Sequence, residues 1–147
     1  MYLSVYATFA PQLEFMTVDG QRIWTSDLRG KVVLVNFWAT SCAVCVHEMP
    51  AIVDTHRKFE AQGFDTIAVA MQYDPPNYVA HFTAQRALPF KVALDPAGEL
   101  AKGFGNVVLT PTTFILDKRG KIIKRYVGEP DFTELHTLIA SELKVPG

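Results

Sequence analysis

Cysteine is scarce in this chain: 147 residues hold two, Cys42 and Cys45. Two cysteines three positions apart exclude a small secreted domain stapled by several disulfides. A structural zinc site needs about four ligands. The chain has no third cysteine, and His47, His56, His81 and His136 show no paired metal spacing. Covalent haem attachment requires histidine directly after the second cysteine, where Val46 stands instead. Charge of one sign is also missing. Fourteen basic residues face 15 acidic ones, scattered along the chain, so there is no basic run for nucleic acid to follow. No apolar stretch reaches the roughly 18 residues of a membrane span. Repeats and low-complexity tracts are absent. The opening MYLSVYATFAPQ lacks the basic start and clear cleavage site of an export signal. Residues 1–11 are expected to lie ahead of the fold, as a disordered or added lead-in; a start replacing a removed signal or anchor, a mature N-terminus and a cytoplasmic start look alike here.

What is present centres on Val32 to Pro50, VVLVNFWATSCAVCVHEMP. Val32 to Trp38 is apolar except for Asn36 and rich in β-branched residues, which predicts a strand buried on both faces. Ala39, Thr40 and Ser41 are small and let the chain turn. A helical pattern then runs from Cys42 to about Gln62, so Cys42 falls where a helix begins. Unpaired N–H groups and the helix dipole favour negative charge at that end, which eases ionisation of a thiol, and the thiolate is the reactive form. Cys45, one turn on, lies beside it and can close a short disulfide.

The length suits one domain with a substantial core, residues 1–147. Gln12 to Trp24 reads as a hairpin turning at Asp19-Gly20, and Thr25 to Leu28 as a short helical turn. On the cysteine helix, Val46, Met49, Val53 and Phe59 are expected to face the sheet, Pro50 to kink it and Gly63 to end it. Phe64 to Met71 is a second buried strand, parallel to the first across a βαβ crossover. Asn77 is expected to cap a helix reaching about Ala87. Lys91 to Leu94 reads as a short strand, Glu99 to Phe104 as a short helix, and Thr112 to Leu116 with Lys121 to Tyr126 as a second hairpin. Asp131 to Leu143 is an amphipathic helix with Phe132, Leu135, Leu138, Ile139 and Leu143 on one face. The order implies an α/β fold: a mixed central sheet flanked by helices on both faces, with an added N-terminal β-hairpin.

VNFWATSCAVCVHEMP followed by TPTTFILDKRGKII resembles the thioredoxin superfamily, in particular its TlpA/ResA-like thiol–disulfide oxidoreductases. The resemblance runs from about Leu13 to Leu143 and implies a thioredoxin-like fold. It implies that Cys42 attacks and Cys45 resolves. Its members commonly carry an acid at the position of Glu48, which would trade protons with Cys45. The other reading of Glu48 is a first-turn glutamate favoured by the helix dipole. Asn36 stands where thioredoxin has a buried aspartate; asparagine cannot titrate, which strengthens the case for Glu48. Pro111 matches the superfamily's cis-proline opposite the cysteines, leaving the Thr110 backbone free to pair with an extended substrate. Trp38 is expected to pack near Cys42 and shield it, or to be a plain core aromatic. His47 is expected to be a solvated helix residue.

Two departures bear on partner choice and potential. Ser41 replaces the usual tryptophan before the first cysteine, and Val44 replaces the usual proline before the second. The resemblance implies a reductase of protein disulfides in a bacterial periplasm or on the outer face of the membrane. Oxidised apocytochrome c, or another exported protein, would be the substrate, and a membrane thiol protein the upstream electron donor. No cofactor beyond the Cys42–Cys45 disulfide, no metal, no nucleic acid and a monomer are expected. Two rival readings stay open. One is a peroxiredoxin-like thiol peroxidase, for which Thr40 is present but no arginine partner is evident. The other is a copper-delivery module using both sulfurs and a histidine, against which the cysteine spacing counts.

Overall fold

The computed structural model describes residues 8–147. Eight strands form one mixed sheet: β1 Thr8–Phe9, β2 Glu14–Thr17, β3 Arg22–Trp24, β4 Val32–Trp38, β5 Phe64–Ala70, β6 Lys91–Leu94, β7 Thr112–Leu116 and β8 Lys121–Val127. Their spatial order is β1-β8-β7-β4-β5-β6-β2-β3. The helices are α1 Ala43–Phe59, α2 Pro76–Gln85, α3 Glu99–Gly103 and α4 Phe132–Leu143. β4, β5 and β6 run parallel, β7 and β8 are antiparallel on one side, and the β2–β3 hairpin extends the other edge.

Every residue of β4 is buried, because the strand lies mid-sheet and both its faces are covered. Side chains alternate along it. Val32, Leu34 and Trp38 pack with Met49, Ile52, Phe59, Val79, Leu135 and Ile139, that is, with α1, α2 and α4. Val33, Val35 and Phe37 pack on the other face with Phe15, Leu28, Leu100 and Phe104. The same alternation turns Asn36 toward the α1 face.

The lead-in behaves differently from expectation over part of its length. Thr8 and Phe9 pair with Ile122 and Lys121, and Ala10 N–H donates to the Gly120 carbonyl at 2.8 Å. Residues 8–10 thus pair along the open edge of β8, and the Pro11 carbonyl accepts the Thr25 hydroxyl at 2.7 Å; residues 1–7 lie outside the described residues. The buried stripe of α1 is Cys45, Glu48, Met49, Ile52, Thr55, His56 and Phe59, with Val46 and Val53 at its margin. A stripe chosen by apolarity alone misses this, since Glu48, Thr55 and His56 occupy core positions. The helix continues through Pro50.

α2 begins at Pro76, one position before the expected cap, with proline in the first turn and no side-chain cap at Pro75. Proline presets the helical φ and gives up an N–H that would be orphaned anyway. The far end closes as a Schellman turn: Leu88 N–H donates to Thr83 O and Ala87 N–H to Ala84 O, both at 3.1 Å. Ala87 therefore carries φ 48°, a left-handed conformation usually left to glycine. Ala87→Gly is expected to stabilise the fold by about 0.5–1 kcal/mol, raising Tm by about 1–4 °C. A calorimetric scan showing no gain, or a loss, would refute this account of the turn.

Candidate active site

The site forms where β4 ends and α1 begins. Cys42 is the N-cap of α1, and its Sγ accepts the Cys45 N–H at 3.2 Å. Its own N–H closes a tight turn onto the Ala39 carbonyl at 3.1 Å. The sulfur thus sits among helix N-terminal donors, where negative charge is favoured. Cys42 and Cys45 are joined in a disulfide with Cα atoms 5.2 Å apart. Their surroundings differ. Cys45 is fully buried in the core cluster, while Cys42 is only partly covered. An outside reagent can reach the first sulfur and not the second.

The opposite wall comes from far along the chain. β7 is antiparallel to β4, with Thr112 opposite Phe37, so the start of β7 lies beside the end of β4. The Thr110–Pro111 bond is cis, and the Thr110 carbonyl oxygen lies 3.7 Å from Cys42 Sγ. Gly128 N–H donates to the Pro111 carbonyl at 2.8 Å, which brings the Gly128–Glu129 segment to the same wall. Around the mouth, Val44, Val108 and Leu109 are exposed.

Glu48 lies three residues after Cys45 on the same buried stripe and is 1 % exposed. Neither carboxyl oxygen has a hydrogen-bond partner. Burial, and secondarily the charge of Glu129, push its pKa up to about 8. The carboxyl is therefore mainly protonated near neutrality, and its proton affinity is close to that of an ordinary thiol. Asn36 is fully buried; its Oδ1 accepts the Thr113 hydroxyl at 3.3 Å and its Nδ2 has no partner. Trp38 is fully buried and packs in the cluster that holds Cys45, its ring 5.0 Å from that of Phe82 on α2. It is a core aromatic of the cluster against which Cys42 packs, with no exposed edge at the rim. His47 is exposed on the first turn of α1.

Two acids near this end were not singled out by the sequence. Asp74, in the turn after β5, accepts hydrogen bonds from Thr40. Its local sequence, Asp74-Pro75-Pro76-Asn77, marks a turn without saying what the carboxylate holds. Glu129 acts on Glu48 through space, and nothing in its local sequence announces that.

The profile of the Redoxin family matches residues 7–139, nearly the whole chain. The chain belongs to the Redoxin family. Thiol-disulfide oxidoreductase ResA of Bacillus thuringiensis subsp. konkukian (strain 97-27) is 37% identical over 120 residues, covering 82% of this chain and 68% of the relative. ResA of Bacillus subtilis (strain 168) is 32% identical over 127 residues, covering 86% and 70%. A solved protein described as thiol:disulfide interchange protein DsbE, from Chlorobium tepidum, superimposes with a TM-score of 0.85 at 31% identity, covering 93% of this chain and 96% of that one. One described as a thioredoxin, from Neisseria meningitidis, gives 0.86 at 36% identity, covering 93% and 91%. With a disulfide closed between Cys42 and Cys45, this Redoxin-family chain is a thiol–disulfide oxidoreductase of thioredoxin-like fold. Its redox group is that disulfide. Among the described residues, no group of three or more His, Cys, Asp or Glu side chains is arranged to hold a metal ion, and no helix is long and apolar enough to cross a membrane.

Proposed function

We propose that the protein works as a reductase of protein disulfides. The contrast between the two sulfurs, Cys42 partly open at a helix N-terminus and Cys45 fully buried behind it, carries the exchange chemistry, and the resemblance to ResA-type proteins supports the reductive direction. Cys42 thiolate attacks a substrate disulfide. One substrate sulfur becomes bonded to Cys42 and the other leaves as thiolate, taking up a proton. Cys45 then loses its proton to the ionised form of Glu48 and attacks the Cys42 sulfur. The Cys42–Cys45 disulfide forms and the second substrate sulfur leaves. Two electrons pass from the dithiol to the substrate, and an upstream dithiol must restore them. Because Glu48 is held at about 8, its proton affinity lies near that of an ordinary thiol, which suits it to exchange a proton with one. The backbone of Thr110, beside the cis bond and within reach of Cys42, offers an extended substrate a strand to pair with.

The resemblance to ResA-type proteins supports an extracytoplasmic setting, where disulfides persist. Oxidised apocytochrome c or another exported protein would be the substrate there, with a membrane thiol protein as donor.

Cys42→Ser tests the core of the reading. Pre-reduced wild type is expected to reduce insulin disulfides, and the variant to fall to background; undiminished turnover would end it. The direction of flow is read from the potential of the pair. A value near or below about −270 mV supports a reductase, and one near about −120 mV an oxidant. Sulfenic acid at Cys42 after peroxide, with turnover, would shift the assignment to thiol peroxidase.

A further inference from the structure

The mechanism above leaves one buried carboxylate beside the site without a task. Asp74 is 5% exposed, in a turn closed by its N–H donating to the Met71 carbonyl at 3.0 Å. A single residue engages both its oxygens. Thr40 N–H donates to Oδ2 at 2.7 Å, and the Thr40 hydroxyl donates to Oδ1 at 2.6 Å. Thr40 lies two residues before Cys42, so their Cα atoms are within about 7 Å. β4 and β5 are parallel neighbours, with Trp38 opposite Ala70. The turns leaving their C-terminal ends therefore meet, and Asp74 is the clasp between them.

We propose that Asp74 is a positioning residue for the thiol–disulfide site: it holds the turn that delivers Cys42, and its negative charge makes the Cys42 thiolate less favoured than the helix N-terminus alone would. This rests on the thiol–disulfide reading above. The clasp supplies geometry, since Thr40 cannot shift without breaking two part-buried hydrogen bonds to a buried carboxylate. The charge supplies redox tuning. A less favoured thiolate destabilises the dithiol form and keeps the pair reducing. Other titratable groups at this end are Glu48 and His47 on α1, Glu129 after β8, and Tyr78 and His81 on α2, which line a crevice together with Thr40. All of them stay in place when Asp74 alone is changed.

Asp74→Asn separates the two roles. Its amide can accept the Thr40 N–H and donate to the Thr40 hydroxyl, so the clasp is kept while the charge is lost. Two readouts are taken on folded, reduced protein: the pH midpoint of Cys42 alkylation by iodoacetamide, and the equilibrium constant against glutathione. The midpoint is expected to fall so that the thiolate fraction below it rises about three- to tenfold, and the glutathione equilibrium to move toward the dithiol by a similar factor. Unchanged values in both overturn the charge role. If Asp74→Asn is not recovered folded, Asp74→Ser, also neutral, is read in the same way. Thr40→Val removes one bond and keeps the charge. It is expected to slow insulin reduction without lowering the midpoint, and a midpoint that falls as far as in Asp74→Asn, or turnover equal to wild type, overturns the clasp. Wild type serves as the separate check. If it shows no preferential alkylation at Cys42 and no insulin reduction, the thiol–disulfide reading fails; if it shows both and Asp74→Asn changes nothing, only the proposal for Asp74 fails.

Discussion

Glu48→Gln is expected to flatten the dependence of stability on pH. In the folded disulfide form the carboxyl titrates at about 8, against an ordinary value of 4.5. Between those limits the unfolded chain has released the proton and the folded chain still holds it. Stability of the wild type therefore falls as pH rises through this window, is free of the penalty below about 4.5, and carries it fully above about 8. At about 1.4 kcal/mol per unit, and allowing for local relaxation, the variant should gain roughly 2–4 kcal/mol on wild type between pH 5 and pH 8. Glutamine is neutral throughout and close in volume. Its amide is left as unpartnered as the acid was, so that cost is similar at both pH values. Urea unfolding of the disulfide form at pH 5 and pH 8 measures the effect, and parallel curves for the two proteins would contradict it. The same variant should slow resolution of the mixed disulfide by about a hundredfold, the usual size of a lost general base. Initial attack by Cys42 should be little affected. Equal slowing of both steps would point to a structural defect instead.

Cys45→Ser is expected to convert turnover into capture. Cys42 is the sulfur an outside disulfide can reach, and the residue that would release the adduct is the one fully enclosed in the core. Without Cys45, attack still forms the bond to substrate and nothing within the protein displaces it. Mass spectrometry after incubation with a disulfide peptide should show close to one adduct per chain, at Cys42. The mirror variant Cys42→Ser should show almost none, because Cys45 is closed to a peptide. Adduct at Cys45 in that variant, or none at Cys42 in the first, would reverse the roles. A serine at 45 is nearly isosteric, though its hydroxyl enters an apolar cluster. Adduct yield should therefore be compared at matched folded fraction.

The central strand and the cysteine helix were legible in the residues because both obey local rules. Val32 to Trp38 is apolar except for Asn36, the pattern of a strand covered on both faces. Small residues and a cysteine pair marked the turn into the helix. Legibility failed where a polar residue took a core position. Thr55 and His56 are buried on α1 because partners elsewhere satisfy them: His136 for Thr55, and Thr66 and Glu60 for His56. No pattern of apolar spacing reveals such partners. It failed again for Asp74, whose place is set by Thr40 on the neighbouring strand's exit. It failed for residues 8–10, whose pairing depends on the open edge of β8. Glu48 lay between these cases. Its place one turn after Cys45 was visible, while its proton affinity depends on complete enclosure and on Glu129, which only the folded chain brings to it.

The antiparallel course of β7 against β4 has a consequence for biosynthesis. The ribosome releases Cys42 and Cys45 long before Thr110 and Pro111, which must travel back to lie beside them. A nascent chain stalled short of β7 would display both thiols with no opposing wall, open to any oxidant it met. Competence for selective exchange thus arrives late, with the last quarter of the polypeptide, and a truncated product would be a promiscuous dithiol rather than a weakened enzyme.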